Sequence, residues 1–202
     1  MRYSLVVLAV LVTLVVAGSS PAGSLATEIV RWSPFDAAGD IKSGLEVQQL
    51  GQGECLGRSL TIGARGYRCK AGRWVLDPCW RSDDGVVCAG FPWDTVVSTI
   101  RVPGFPRNAH GEQPQPWAIE LADGHRCRVL QSSHANVTLR GRPLAVDYDC
   151  DDGLVLLRNL SGGRVWRVAA ARWADGRYAV EPDVVVRRAF FGARGGPVSD
   201  RR

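Results

Sequence analysis

The chain has 202 residues, 46% of them hydrophobic, with a formal net charge of +5. That is enough apolar material for one domain with a proper core. Of its 25 basic residues, 23 are arginine, and they are scattered rather than gathered into a dense stripe, which argues against a nucleic-acid-binding role. Anionic envelope polymers stay open as partners on general electrostatic grounds.

Residues 1–22 read as an export signal. Arg2 gives a positive start, and Leu5 to Ala17 is apolar apart from Thr13. That apolar run is shorter than the about 20 residues a membrane-crossing helix needs. Gly18, Ser19, Ser20 and Pro21 end it, and Ser20 and Ala22 supply a small-x-small cleavage pattern. The competing reading is an uncleaved anchor. Cleavage after Ala22 leaves 180 residues and removes Arg2, so the net charge falls to +4.

Residues 23–44 have mixed polarity and read as an extended leading segment. From 45 to 188 the apolar period is mostly two, as strands require. Val96, Ser98, Ile100 and Val102 alternate in one segment, and Trp117, Ile119 and Leu121 in another. The clearest run is Leu144, Val146, Tyr148 and Cys150, alternating with Ala145, Asp147 and Asp149. Turn dipeptides separate the runs, among them Ala71-Gly72, Asp84-Gly85, Asp123-Gly124, Asp152-Gly153 and Asp175-Gly176. The expected fold is a single all-β domain of short antiparallel hairpins stapled by disulfides, with a sandwich and a small barrel left open. Residues 189–202, with Gly192, Gly195, Gly196, Pro197 and several arginines, read as a loose basic tail.

Six cysteines fall in three close-set pairs: Cys55 and Cys69, Cys79 and Cys88, Cys127 and Cys150. An even number of thiols behind an export signal points to oxidation. Sequence alone leaves every pairing open, yet local spacing favours the sequential set, each bridge closing a hairpin. A bridge of this kind contributes about 2–4 kcal/mol by restricting the unfolded chain. None of the pairs has the close spacing of zinc ligands. If Cys127 faces Cys150 on antiparallel strands, Arg128 faces Asp149 and Arg126 faces Asp151.

Each candidate for chemistry has a plainer reading. Asp147, Asp149, Asp151 and Asp152 followed by Gly153 resemble the opening of a calcium loop, but Arg158 stands where the bidentate acid belongs. Asp147 and Asp149 are also spaced like a glycosidase pair, as any acids two apart on a strand are. His110, His125 and His134 are the three histidines, and no G-x-S-x-G elbow accompanies them. No catalytic residue, cofactor site or metal site is assigned. Asn136-Val137-Thr138 and Asn159-Leu160-Ser161 match the glycosylation triplet. Trp80, Trp93 and Trp117 are the candidate aromatic binding surface, weighed against packing beside the bridges.

Several segments recur together in order: Trp32-Ser33-Pro34-Phe35-Asp36, Gly53-Glu54-Cys55, Tyr67-Arg68-Cys69, Asp77-Pro78-Cys79-Trp80 and Val86-Val87-Cys88. Pro116-Trp117-Ala118-Ile119-Glu120-Leu121, Arg126-Cys127, Tyr148-Asp149-Cys150 and Arg164-Val165-Trp166 follow. The series resembles that of secreted or envelope cysteine-rich proteins of actinobacteria, over roughly residues 32–186. The resemblance implies sequential disulfides and export, and it carries over no activity and no functional residue. The function expected is a non-catalytic envelope or extracellular binding module. The alternatives are a secreted hydrolase with a site built from dispersed loop residues, which a pocket converging on His134 with an acid and a serine would favour, and an inhibitor presenting the proline-rich loop 103–116.

Overall fold

Among the described residues, the period-two patterning becomes fourteen strands arranged as two sheets. The structure, a computed structural model, describes residues 26–106, 114–130, 135–139, 142–157, 160 and 162–193. The export segment, His110, His134, Asn159, residues 107–113 of the loop proposed as an inhibitor element and residues 194–202 lie outside them.

The first sheet holds β2 (Glu46–Gln52), β3 (Glu54–Ser59), β4 (Gly63–Ala71), β5 (Trp74–Ser82), β6 (Gly85–Ala89) and β7 (Val96–Arg101). Its spatial order is β2-β7-β6-β5-β4-β3. The two edge strands are therefore consecutive in the chain and joined through Gly53. The Gly53 amide donates to the Arg101 carbonyl across 3.0 Å, and a side chain there would sit 2.2 Å from the Lys70 carbonyl oxygen. Only glycine lets the two edges come this close, so the sheet curls until they meet. Cys69, Cys79 and Cys88 are buried on one face with Tyr67, Val86 and Ile100.

The second sheet contains a closed ring. β8 (Ala118–Leu121), β9 (Arg126–Val129), β11 (Arg142–Cys150), β12 (Leu154–Leu157), β13 (Trp166–Ala174) and β14 (Arg177–Gly192) run up and down in sequence. β14 then pairs back with β8, Val186 facing Leu121 and Phe190 facing Ala118. Closure gives each of the six strands a neighbour on both sides, although the Arg177–Val184 part of β14 pairs with β13 alone. β10 (Ala135–Leu139) flanks β11 outside the ring. The ring encloses Ile119, Leu121, Tyr148, Leu156, Val168 and the Cys127–Cys150 bridge. The buried Tyr148 hydroxyl donates to the Pro116 carbonyl at 2.7 Å, and burial pushes its pKa up. Asp175-Gly176 forms the predicted tight hairpin turn, with φ of 52° and 75°, the pair of positive angles a type I′ turn needs.

All three disulfides join residues directly opposite on neighbouring strands: Cys55–Cys69, Cys79–Cys88 and Cys127–Cys150. The fold is thus all-β and disulfide-stapled, with barrel-type closure rather than two flat layers. Two strand pairings are parallel, however. β2 runs parallel to β7, and β1 (Glu28–Trp32) runs parallel to the end of β14. The leading segment 23–44 therefore contributes a strand. The tail expected from residue 189 also begins too early, because Ala189 and Phe190 are buried in β14. The apolar Ala189-Phe190-Phe191 run outweighs the glycines that suggested an end there.

The two sheets meet along an aromatic seam. Trp32, Trp80 and Trp117 surround one another, with ring centroids 5.6, 5.6 and 6.1 Å apart. Trp80 is 0% exposed and Trp117 1%. The candidate aromatic surface is thereby corrected: both indoles are core, and Trp93 is half-buried against Phe190. Each sheet presents an outer face that needs apolar cover, and indoles bury the most area per residue. The exposed indoles are Trp74 and Trp173.

Candidate functional site

An open groove of about 640 Å³ lies on the curled sheet beside this seam. Its floor comes from neighbouring strands in register, Gln49 of β2 facing Thr99 of β7, which in turn faces Val87 of β6. Arg101, at the end of β7, closes one end of the floor.

One lip is the loop from Asp36 to Ile41. Phe35 bridges to Ile41 at its base. The Asp36 carboxylate accepts the amides of Ala38, Gly39 and Asp40 at 2.9–3.0 Å, and the Asp36 amide donates to the Asp40 carbonyl. These bonds satisfy a loop that would otherwise leave its amides to solvent, and they fix its shape. Asp40 is held exposed at the rim. The other lip is the β5–β6 turn, Ser82 to Gly85, with Asp83 and Asp84 exposed. Directly behind that turn the Cys79–Cys88 bridge ties its two strands. Arg81 stands at the same wall, its guanidinium 4.7 Å from the Phe105 ring centre. The groove thus has carboxylates on both lips, hydrogen-bonding side chains on its floor and a braced frame. Its one aromatic lining residue, Phe35, is buried in the seam.

The sequence-level candidates are dispersed. Asp149 faces Arg128 as the register required, with guanidinium contacts of 2.9 and 3.2 Å. The second expected pair is different. Asp151 receives the His125 ring nitrogen at 2.5 Å and lies 3.5 Å from the Arg126 amide. The Arg126 guanidinium instead covers the Trp93 ring at 5.1 Å. Asp151 has left the strand for a 3₁₀ turn, Asp151–Gly153, so it no longer sits opposite the Arg126 side chain. Among the described residues, no group of three or more His, Cys, Asp or Glu is arranged to hold a metal ion.

Asp77 is the titratable group that the sequence reading passed over. It is 1% exposed. Its carboxylate accepts the Ser59 hydroxyl at 2.5 Å and the Leu60 amide at 3.1 Å. Ser59 Oγ also accepts the amides of Thr61 and Ile62. Burial pushes the Asp77 carboxyl up to about 6, against the opposing pull of those hydrogen bonds and of Arg68. The network pins the β3–β4 loop and does not line the groove, so its role is structural. Its sequence signal was an acid inside the otherwise apolar Val75-Leu76 and Pro78-Cys79-Trp80 run.

The groove residues had weaker signals. Asp36 four residues before Asp40, with Gly39 between, is a side-chain-capped loop pattern. Asp83-Asp84 was legible as a turn but not as a wall. Comparison with protein families, with curated proteins and with solved structures gives no match for the chain.

Proposed function

We propose that the chain is an exported, disulfide-stapled interaction module of the cell envelope or extracellular space. Its groove receives an extended polypeptide segment bearing basic side chains, contributed by another exported protein. The observation that carries this reading is the placing of carboxylates on both lips, Asp40 on one and Asp83 and Asp84 on the other, over the Gln49–Thr99 floor. An extended peptide offers backbone donors and acceptors to such a floor and cations to such lips. A glycan would ask for an open aromatic platform, and the lining ring here is buried. Export is supported by three cross-strand disulfides together with the short apolar segment at residues 5–17.

The test is calorimetric titration of the oxidised protein with extended peptides graded in charge and with envelope glycans. Binding that strengthens with peptide positive charge, weakens with salt and disappears in an Asp40→Asn/Asp83→Asn/Asp84→Asn variant is expected. Glycan binding without peptide binding, or peptide binding unchanged in that variant, overturns the reading.

A further inference from the structure

We infer that the groove reads the end of its occupant: Arg101 takes the C-terminal carboxylate of the extended segment whose basic side chains lie between the lips. The inference rests on the peptide-groove reading and names the partner more closely, as a free chain end rather than an internal stretch. Three observations carry it.

The first is an unmatched cation. Strand alternation puts Val97, Thr99 and Arg101 on one face of β7, and Thr99 and Arg101 both line the groove. The other lining arginine, Arg81, is held over the Phe105 ring. Among the described residues, the exposed Arg101 side chain has no carboxylate, hydrogen-bond or ring partner. The carboxylates of Asp40, Asp83 and Asp84 have no cation partner there either. Opposite charges thus stand unpaired in one groove.

The second is how near they are held. Gly85, which ends the acidic turn, is buried against the end of β7. A side chain there would lie 2.2 Å from the Ile100 carbonyl oxygen and 3.1 Å from the Arg101 Cα. Glycine, at its φ of 142°, permits that approach. The turn that bears the acids therefore packs on the backbone that bears the cation. A basic internal stretch laid here would set its own cations beside Arg101 and cover that guanidinium with no anion, which is costly. A chain end offers both charges: basic side chains for Asp83 and Asp84, and a carboxylate that the planar guanidinium fork can bind through two hydrogen bonds.

The third is where the floor stops. The β2–β7 register slips between Gln49 and Gln52, and Gln52 faces Arg101. Gly51, at φ of 81°, lines the groove at this slip. A bulge of this kind leaves a residue outside the ladder and bends the strand that carries it. Beyond it the Arg101 carbonyl is already taken by the Gly53 amide. The regular floor ends at the cation, where the occupant's own chain is inferred to end.

The experiment uses one arginine-containing peptide, labelled at its N-terminus and made with either a free C-terminal carboxylate or a C-terminal amide. Each form is titrated by fluorescence anisotropy into the oxidised protein and into its Arg101→Gln and Arg101→Lys variants, with thermal unfolding run alongside. The carboxylate form is expected to bind the wild type roughly five- to tenfold more tightly than the amide. That advantage disappears in Arg101→Gln and is only partly kept in Arg101→Lys, which retains the charge without the fork. The readout is a ratio between two peptides on one protein, so it survives a modest change in a variant's stability. Equal affinity of the wild type for the two peptides, or an advantage that persists in Arg101→Gln, overturns the end-reading and leaves the groove reading standing. No binding of either peptide removes the groove reading, and the end-reading with it.

Discussion

Asp77 gives the protein a stability that should rise on mild acidification. Its carboxyl is lifted from an ordinary 3.8 to about 6, chiefly by burial. Folding therefore favours the protonated form. The favourable contribution is fully present below about pH 4 and is lost as pH rises through about 6. A shift of about two units at about 1.4 kcal/mol each amounts to about 3 kcal/mol over the whole window. Between pH 7 and pH 5 the same linkage gives about 1 kcal/mol. Asp77→Asn removes the titration. It also places an amide NH₂ where the Leu60 N–H now finds an acceptor, so the variant is expected to be less stable at pH 5. Urea unfolding of the oxidised protein at pH 5 and pH 7, in both forms, isolates the group because all other carboxylates are common to both. The wild type should gain about 1 kcal/mol more on acidification than the variant. Equal pH dependence in the two forms would refute the argument.

Trp80→Ala removes a fully buried indole and the N–H that anchors Ala193, and is expected to cost about 3–5 kcal/mol in urea unfolding. Gly53→Ala forces a methyl against the Lys70 carbonyl and Ile100 and should cost about 1–3 kcal/mol, with faster proteolysis of the β2–β3 edge. Arg128 and Asp149, exposed on the barrel, should show a coupling of only about 0–1 kcal/mol in a double-mutant cycle. A larger coupling would mean that this pair helps to close the ring.

What the residues disclosed in advance was local. Alternation around Tyr148, the turn dipeptides and the short cysteine spacings each act within a hairpin, so strands and tight turns could be read directly and the sequential bridge set could be favoured over the others. Even the register of Arg128 with Asp149 followed from one assumed bridge. What stayed hidden depends on contacts between distant residues. Leu121 meeting Val186 closes the ring, and Glu28 meeting Arg188 adds a parallel strand, yet neither leaves a pattern in its own segment. The indoles show the same limit. Trp80, Trp117 and Trp74 all stand at strand positions or beside them, and only the meeting of two outer faces buries the first two. The groove lips, Asp40 and Asp83, sit more than forty positions apart and become neighbours only once the first sheet has curled.

The parallel pairing of Glu28–Trp32 with Arg188–Gly192 has a kinetic consequence. A polypeptide delivered from its N-terminus must carry Glu28–Trp32 without this partner until Arg188–Gly192, some 160 positions later, has emerged. Such remote pairing makes assembly slow, because loop closure has to precede any stabilising contact. The tryptophan seam, which joins Trp32 to Trp80 and Trp117 and is capped by Ala193, then sets only after that late pairing has formed.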